Sequence, residues 1–436
     1  MAVRPQTDTE GKIVKIINAR VLLNHKLTEN SYLWFKDSKI IDPQELFFQD
    51  HKEPDMVIDA ENAIVAPGYL DIQINGAFGI DFADENLPVE DIARNKDVVA
   101  KGLLQFGCTS FCPTLVSSAP QVYHKVLPHL RKRLGSVENG AEILGVHIEG
   151  PFLNPEKKGA HNEEVLQCAE RGMESFDDTY GPALKRDDSI AILTVAPEVK
   201  GVLECIPTLA KRGICISMGH STASVTEAEL GVRAGATCIT HLFNAMPAFH
   251  HRDAGICGLL GSTTLPIPKS QKQHPIPSQS SPSPTNPDPR PFYGLICDGI
   301  HVHPNSVRIA YHSHPKGLVL VTDALSSMGL PPGCYHLGDY EVEVNAQNVA
   351  YVKGTKTLAG SNITIDRCVQ NFRKFTKCST VEAIEAATLH PAQVLGIEKT
   401  KGTLNAGSDA DILFLNDDLE IQRVFVRGEE VDLKVN

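Results

Sequence analysis

The chain has 436 residues, enough for a barrel of about 250 to 400 residues together with a smaller domain. Hydrophobic residues make up 42% and charged residues 22%, the ordinary balance of a soluble globular protein. The formal net charge of −12 argues against a nucleic-acid-binding surface, which is normally basic, although local basic groups can still bind an anion.

The N-terminus, MAVRPQTDTEGKI, has no apolar segment of the kind that a secretory signal needs. No window approaches the roughly 20 apolar residues that are required to cross a bilayer. The eleven cysteines follow no framework spacing, so we interpret them as reduced thiols. These features predict a cytosolic protein with no membrane contact.

Both ends of the chain have the composition of short strands separated by turns. Residues 12–66 contain IVKIINARVLL, SYLWFKDSKII and MVIDAENAIVAP, and residues 402–434 contain DADILFLN and IQRVFVRGEEVDL. We therefore predict a small β-sandwich domain built from both termini, residues 1–66 and 399–436, on either side of a larger domain at 67–398.

The middle of the chain alternates short apolar strands with helical segments, which is typical of a parallel sheet. Helical periodicity is found at 89–106, 120–134 and 225–235. The predicted strands are 68–75, 108–115, 143–149, 190–196, 214–220, 236–241, 292–298 and 317–323. Eight strands favour a (β/α)8 TIM-like barrel in an α/β fold, and a doubly wound sheet with fewer strands is the alternative.

Two insertions interrupt this pattern. Residues 334–353 alternate like a β-hairpin, which we expect to lie above the barrel. Residues 263–290 are rich in Pro, Ser and Gln and have few large apolar groups, so they cannot bury enough surface to offset their ordering entropy. We predict a disordered loop there, between the sixth and seventh strands.

Polar side chains recur at the carboxyl ends of four predicted strands, where a barrel has its active-site mouth. They are Glu149, His220, His241 and Asp323. One Glu and two His suit a catalytic divalent metal with a position left open for water; we expect zinc, although iron, cobalt and manganese accept the same ligands. Asp323 is then placed to take a proton from that water and return it to a leaving amine. Each residue alone is an ordinary loop residue, and the prediction depends on their joint placement.

Several segments together resemble the N-acetylglucosamine-6-phosphate deacetylases of the amidohydrolase superfamily. They are HIEGPFLNPEKKGAHN, SMGHSTA, THLFNAM, LVTDA and LHPA, with PGYLDIQINGAFG near the start and KGTLNAGSDADILFL near the end. The resemblance covers most of the chain except residues 263–290. It implies metal-dependent hydrolysis of N-acetylglucosamine 6-phosphate to glucosamine 6-phosphate and acetate, by a homodimer with one metal ion per subunit.

The first predicted barrel strand departs from the usual amidohydrolase pattern. Most amidohydrolases end this strand with His-x-His, which supplies two metal ligands, whereas this chain has Gln73 and Asn75. Neutral amides are weak zinc ligands, so a second metal position is not expected. The resemblance likewise implies a single site held by Glu149, His220 and His241.

The resemblance also implies further site residues. His161 would help to polarise the acetyl carbonyl, and Arg252, with its planar guanidinium, suits phosphate oxygens. From the residues alone, Arg252 is an ordinary surface arginine. The implied substrate-binding residues are Ala160, Asn244, Ala245, Arg252, Asp298, Gly299, Ile300, His301, Leu358, Ala359 and Gly360.

Two other functions stay open. A related amidohydrolase would act on a cyclic amide or a nucleobase, but the missing His-x-His and the set Asn244, Arg252 and His301 argue against it. A catalytically inactive barrel would serve as a binding protein, and the intact residues Glu149 and Asp323 with their two histidines argue against that.

Overall fold

The structure is a computed structural model that describes residues 7–44, 53–186, 188–263, 265 and 288–433. A ring of parallel strands is surrounded by helices, and a separate sheet joins the two ends of the chain. None of the helices in the described ranges has the length and apolar character to cross a membrane. All eleven cysteines lie in these ranges as free thiols.

The N-terminal region forms five strands. They are β1 (Ile13–Leu23), β2 (Lys26–Lys36), β3 (Lys39–Ile40), β4 (Met56–Asp59) and β5 (Ile64–Pro67). β1 pairs antiparallel with β2 along one edge and parallel with β4 and then β5 along the other. It changes partner near Asn18, whose φ of 52° accompanies an irregularity in the ladder with β2.

The next region supplies the strands of the barrel and three short companions. They are β6 (Tyr69–Ile74), β7 (Gly76–Ala77), β8 (Ile80–Asp81), β9 (Cys108–Leu115), β10 (Glu142–Ile143), β11 (Val146–Glu149), β12 (Ile190–Val195), β13 (Cys215–Met218), β14 (Cys238–Ile239), β15 (Phe292–Ile296) and β16 (Leu318–Val321). All except β7, β8 and β10 pair in parallel in chain order. The ring closes where Asp323 N–H donates to Gln73 O and Asn75 N–H to Ala324 O, both at 2.8 Å. This is the predicted (β/α)8 arrangement.

Helices cover the outside of the ring. They are α1 (Val89–Leu103), α2 (Pro120–Val126), α3 (Met173–Tyr180), α4 (Val202–Lys211), α5 (Val225–Ala234), α6 (Pro304–Ser313), α7 (Ile365–Thr376), α8 (Thr380–Glu385) and α9 (Leu389–Leu395). α4 buries Val202, Cys205, Ile206 and Leu209, the spacing of one helical face. Since the strands are covered by helices outside and packed against each other inside, β9 and β12 are buried at every residue.

A three-stranded antiparallel sheet, called the hairpin sheet below, follows the barrel's last strand. It consists of β17 (Gly333–Leu337), β18 (Tyr340–Val344) and β19 (Ala350–Val352). Ser326 Oγ donates to His336 O at 2.7 Å, and Gly338 N–H donates to Asp81 Oδ2 at 2.6 Å. The hairpin sheet therefore lies against loops at the carboxyl ends of the barrel strands, as the alternation at 334–353 predicts.

The C-terminal strands return to the N-terminal ones. β20 (Ile412–Leu415) pairs with β5 and with β21 (Ile421–Val426), and β21 pairs with β22 (Glu429–Glu430). A separate apolar core is formed by residues of both ends, Ile16, Phe35, Phe414 and Phe425 among them. The small β-domain is thus built from both termini, while its boundaries near residues 66 and 398 stay a prediction.

The structure differs from the sequence prediction in three segments. The strand predicted at 143–149 is interrupted at Gly145, whose φ is +108°. The helix predicted at 120–134 ends at Val126, because Pro128 follows and cannot donate to a continuing helix. In the loop predicted to be disordered, 264 and 266–287 lie outside the described residues. The prediction of disorder is wrong for the C-terminal end of this loop, because Arg290 donates to Asp288 and to the carbonyls of Leu260 and Ser313.

Candidate metal centre at the barrel mouth

Four strands deliver their polar residues to one rim of the barrel. β11 ends at Glu149 itself, and His220, His241 and Asp323 each follow their strand by two residues. All four are buried, with exposed fractions between 2% and 9%. The prediction that strand-end residues converge is confirmed, because carboxyl ends of parallel strands share one side of a barrel.

Glu149, His220 and His241 form a compact cluster of potential ligand atoms. Glu149 Oε1 lies 2.9 Å from the Nε2 atoms of both histidines, and these two nitrogens are 3.0 Å apart. Within the described residues, this is the one group of three or more His, Cys, Asp or Glu side chains arranged to hold a metal ion. One carboxylate oxygen and two imidazole nitrogens therefore point at a common centre.

The contact of His220 tests whether this cluster fits a cation. His220 Nδ1 lies 2.8 Å from Lys157 O. A carbonyl only accepts, so Nδ1 carries a hydrogen, and a cation that displaced the hydrogen of Nε2 would meet a lone pair directed at the centre. Two histidine nitrogens and a carboxylate at such short separations are the donor set of a zinc site with a free position, so the residues present fit a divalent metal.

The charges in the cluster depend on one another. Burial alone would raise the pKa of Glu149, but hydrogen bonds from His220 and His241 hold it well below its usual value. Burial opposes the protonation of His241, yet its hydrogen bond to Glu149 raises the pKa of this histidine to about 9. Glu149 is consequently an anion in a water-poor pocket, where it would attract a cation strongly.

Asp323 is held beside the cluster by two amides. Asn75 Nδ2 donates to Asp323 Oδ1 at 2.7 Å, and Gln73 Nε2 lies 3.1 Å from Glu149 Oε2 and 3.4 Å from Asp323 Oδ1. Burial, reinforced by the charge of Glu149, raises the pKa of Asp323 to about 7. Gln73 and Asn75, at the positions where most amidohydrolases have His-x-His, therefore hold carboxylates by hydrogen bonds.

His161 faces the same cluster from the loop after β11. Its Nδ1 accepts from the Ser117 N–H at 3.1 Å, and its Nε2 lies 4.0 Å from Glu149 Oε1. Burial lowers the pKa of His161 to about 3, so the ring is neutral. With Nδ1 accepting, the single ring hydrogen is on Nε2, which makes His161 a donor directed at the centre.

The backbone at the strand ends is strained. His220, His241 and Asp323 have φ angles of 48°, 26° and 48°, in a region that residues with a Cβ rarely adopt. Asp323 is fixed in this conformation by its N–H bond to Gln73 O and by Ser361 N–H, which donates to Asp323 O at 2.9 Å. Nothing in the local sequence signals these conformations, because they are imposed by neighbouring strands.

Asp298 and His301 form a small unit at the end of β15. Asp298 Oδ1 accepts from the N–H groups of Ile300 and His301 at 2.8 Å, and its Oδ2 lies 2.7 Å from His301 Nδ1. His301 also contributes to the electrostatic environment of Asp323. The turn leaves Ile300 44% exposed, and Gly299 has a φ of +78° that suits glycine.

The remaining predicted substrate residues lie in three segments. Asn244 donates to the carbonyl of His241 at 3.3 Å, and Ala245 O accepts from Ser221 N–H. Gly159 packs between His220 and Ala245, which brings its neighbour Ala160 to this side of the site. The segment Leu358, Ala359 and Gly360 leads to Ser361, which pairs with the strand end that bears Asp323.

Arg252 lies on an exposed loop. Its N–H donates to His250 Nδ1 at 3.3 Å, and the described contacts do not join it to the metal cluster. His303, the partner of His301 in a His-x-His pattern, caps α6 by accepting from Asn305 N–H. It is therefore not a second histidine of the site, as its position before Pro304 predicts.

Sequence reasoning missed the residues that orient the histidines. Ser117 N–H and Lys157 O set the tautomers of His161 and His220. The main-chain N–H and carbonyl carry no sequence signal, although the hydroxyl of Ser117 also lies 2.8 Å from His161 Nδ1. Glu198, three residues beyond the end of β12, was also missed, although a carboxylate shortly after an apolar strand is a signal of the same kind as Asp323.

Known proteins share both the sequence and the fold of this chain. The Amidohydrolase family matches residues 64–431. N-acetylglucosamine-6-phosphate deacetylases of Danio rerio and Homo sapiens are 45% and 46% identical to it, over 97% of this chain and 98% and 96% of theirs. The solved structure of a mutant Mycobacterium smegmatis N-acetyl-D-glucosamine-6-phosphate deacetylase in complex with N-acetyl-D-glucosamine-6-phosphate is 25% identical, with a TM-score of 0.76, covering 97% of this chain and 100% of that one. This chain therefore belongs to the amidohydrolase family and, within it, to the N-acetylglucosamine-6-phosphate deacetylases.

Proposed function

We propose that this protein hydrolyses N-acetylglucosamine 6-phosphate to glucosamine 6-phosphate and acetate. The observation that carries the proposal is the cluster of Glu149, His220 and His241 with Asp323 hydrogen-bonded beside it. The names of the full-length relatives, and the sugar phosphate in complex with the Mycobacterium smegmatis enzyme, support the same substrate.

Glu149, His220 and His241 would hold one divalent ion per subunit, and zinc is our proposal for its identity. A bound zinc ion lowers the pKa of a water molecule to about 7 and polarises a carbonyl oxygen. Glu149 ends one barrel strand, and His220 and His241 lie two residues beyond the ends of two others, so the residues that would hold the ion are anchored close to rigid elements.

His161 and Asp323 would act on the acetamide from two sides. His161 donates from Nε2 to the acetyl oxygen, whose negative charge grows as the carbonyl is attacked. Asp323 accepts the proton of the attacking water and then delivers it to the amine nitrogen as the C–N bond breaks. The raised pKa of Asp323, about 7, suits a group that must both accept and release this proton near neutral pH.

Recognition of the sugar phosphate would come from the loops around the mouth. We propose that Asn244, Ala245, Arg252 and His301 bind the sugar phosphate, with His301 oriented by Asp298. The other proposed contacts are Ala160, Gly299, Ile300, Leu358, Ala359 and Gly360. Holding the phosphate would fix the amide at the centre, where positioning contributes several kcal/mol to catalysis, to order of magnitude. We further propose a cytosolic homodimer.

The test is a direct assay of acetate release from the purified full chain. We expect release from N-acetylglucosamine 6-phosphate, little from the unphosphorylated sugar, and loss of activity after chelation that added zinc restores. Equal rates on both sugars would contradict the phosphate contacts. Activity on a cyclic amide would favour a related amidohydrolase. No activity with the metal loaded would favour a catalytically inactive binding protein.

A further inference from the structure

Outside the predicted site residues, Glu198 gathers hydrogen bonds from three neighbours. It is half-buried in the loop after β12. Ser221 Oγ donates to its Oε2 at 2.7 Å, and Thr222 N–H donates to its Oε1 at 2.6 Å. Asn154 Nδ2 also donates to Oε1, at 3.0 Å. A carboxylate with this many directed donors fixes the segments that carry them.

The first of these segments is the main chain that follows His220. Ser221 and Thr222 are the next two residues after this histidine, whose φ of 48° is unfavourable for a residue with a Cβ. Such a conformation persists only where its surroundings hold it. The bonds from Ser221 and Thr222 to Glu198 supply that restraint on the carboxyl side of His220.

The second segment holds the ring of His220. Asn154 N–H donates to His220 O at 2.9 Å. Asn154 also caps the short 3-10 turn Pro155–Lys157, since its Oδ1 accepts from Glu156 N–H at 3.0 Å. That turn ends at Lys157, whose carbonyl accepts from His220 Nδ1. Glu198 therefore fixes, through Asn154, the group that sets the tautomer of His220.

We propose that Glu198 is a positioning residue for the metal ligand His220, acting on its backbone through Ser221 and Thr222 and on its ring through Asn154. The inference rests on the proposed metal centre. Partners that orient a ligating histidine pre-organise its lone pair toward the metal, and their loss weakens metal binding typically by 10- to 100-fold. The hydrogen bonds described for Glu198 go to Asn154, Ser221 and Thr222 and not to the side chains of the metal cluster, so its proposed effect is on ligand orientation.

The test measures the dissociation constant for zinc alone by competition with a chelator, on the full chain. We expect Glu198→Ala to weaken zinc binding by about 10- to 100-fold. Glu198→Gln keeps the size but presents an amide to the donors of Thr222 and Ser221, so it should weaken binding in the same direction. It also serves as the second variant if Glu198→Ala does not fold.

Glu382→Gln is the matched control. Glu382 accepts from Ser379 N–H, Ser379 Oγ and Tyr311 Oη at 2.6 to 2.9 Å, so it gathers about as many donors. Its partners lie on or next to α6 and α8, outside the site. We expect this variant to lower the unfolding temperature without changing the dissociation constant for zinc, which separates lost stability from lost ligand orientation.

Because Glu198 is proposed to act partly through Ser221, the effects of substituting these two residues on zinc binding should not be additive. Ser221→Ala removes one of the bonds to Glu198, so it should weaken zinc binding less than Glu198→Ala, and the double variant should be no weaker than Glu198→Ala alone. Zinc binding by the Glu198 variants equal to that of the unchanged chain would overturn the inference and leave the metal centre intact. Failure of the unchanged chain to bind zinc would instead overturn the proposed metal centre.

Discussion

In the proposed mechanism Asp323 moves the proton, and Asn75 holds the carboxylate that does so. Asp323→Asn keeps the size of the side chain and leaves Oδ1 able to accept from Asn75. We therefore expect kcat to fall by about 10²- to 10⁴-fold, while the unfolding temperature stays close to that of the unchanged chain. The measurements are acetate release at saturating substrate and thermal unfolding.

Asp418→Asn is the control for this variant, because Asp418 is exposed in the turn between β20 and β21. Asp418→Asn should change neither kcat nor the unfolding temperature. A kcat near normal for Asp323→Asn would mean that another group carries the proton.

A comparison of variants of His161 and His220 distinguishes an effect on catalysis from an effect on metal binding. Its Nε2 lies 4.0 Å from Glu149 Oε1, and Ser117 keeps the donor hydrogen on that nitrogen. His161→Ala would lose the donor aimed at the acetyl oxygen, so we expect kcat to fall by about 10²- to 10³-fold with zinc still bound. His220→Gln should lose zinc together with activity. Metal content after dialysis measures the loss of zinc. An equal loss in both variants would indicate that His161 is a metal ligand.

At the residue scale, the sequence predicts which side chains form the site, but it does not predict how these side chains are oriented. Glu149, His220, His241 and Asp323 stand at the ends of apolar runs, and this position alone predicts that they meet. The tautomers of His161 and His220 depend on the main-chain groups Ser117 N–H and Lys157 O; any residue type would offer this carbonyl, and any type except proline would offer this N–H. Left-handed backbone at the strand ends likewise depends on contacts across the barrel.

At the scale of elements, the segment after the hairpin sheet completes the strand end that bears Asp323. Gly360 packs so closely that an added Cβ would lie 2.9 Å from Asp323 O and 2.8 Å from Leu325 Cδ2. Gly360→Ala must therefore push this segment away and weaken the bond from Ser361 N–H to Asp323 O. We expect a loss of about 1 to 3 kcal/mol in the free energy of unfolding, together with a clear fall in kcat.

Gly261→Ala is the matched control, since a Cβ there would meet no atom within 4 Å. Chemical denaturation and acetate release, measured on both variants, check the prediction. If Gly360→Ala lost stability but kept kcat, the segment would support the fold without fixing Asp323.

The elements themselves were predicted best where the pattern was long and uniform. The run Cys108–Leu115 is a strand over the predicted residues, because its apolar character matches burial on both faces. The prediction failed at Gly145 and Pro128, single residues that interrupt an apolar or helical pattern without changing its periodicity. Such interruptions are set by local backbone geometry, which periodicity does not report.

At the scale of the whole molecule, one buried lysine links the barrel to the β-domain of the termini. Lys401 Nζ lies 2.8 Å from Glu142 beside the barrel, and 2.9 Å and 2.7 Å from Asp409 and Asp411 near β20. Lys401 is 4% exposed. Burial alone would raise the pKa of Asp409, but Lys401 holds it below its usual value.

Lys401→Met would leave Glu142 and Asp411 without this cation, whereas Asp409 would keep its contacts with Lys39 Nζ at 2.7 Å and Arg427 Nη1 at 3.3 Å. Removing one partner of a buried ion pair typically costs about 3 to 5 kcal/mol of stability, so we expect a loss of this size at pH 7. Lys353→Met is the control, because the pair of Lys353 with Glu341 is exposed and contributes little. Denaturant unfolding of both variants measures the difference.

The pH dependence gives the sharper test, because the sign follows from the pKa of Asp409. A folded-state pKa below the unfolded value stabilises the unchanged chain above about pH 4, and this contribution disappears as the pH falls through the folded pKa. In Lys401→Met only Lys39 and Arg427 would oppose the effect of burial on Asp409, so the pKa of Asp409 would rise and protonation would relieve part of its burial cost already in weak acid. The stability deficit of Lys401→Met should therefore shrink between pH 7 and about pH 5. A deficit that stays constant over this range would mean that the lysine acts through packing and not through its charge.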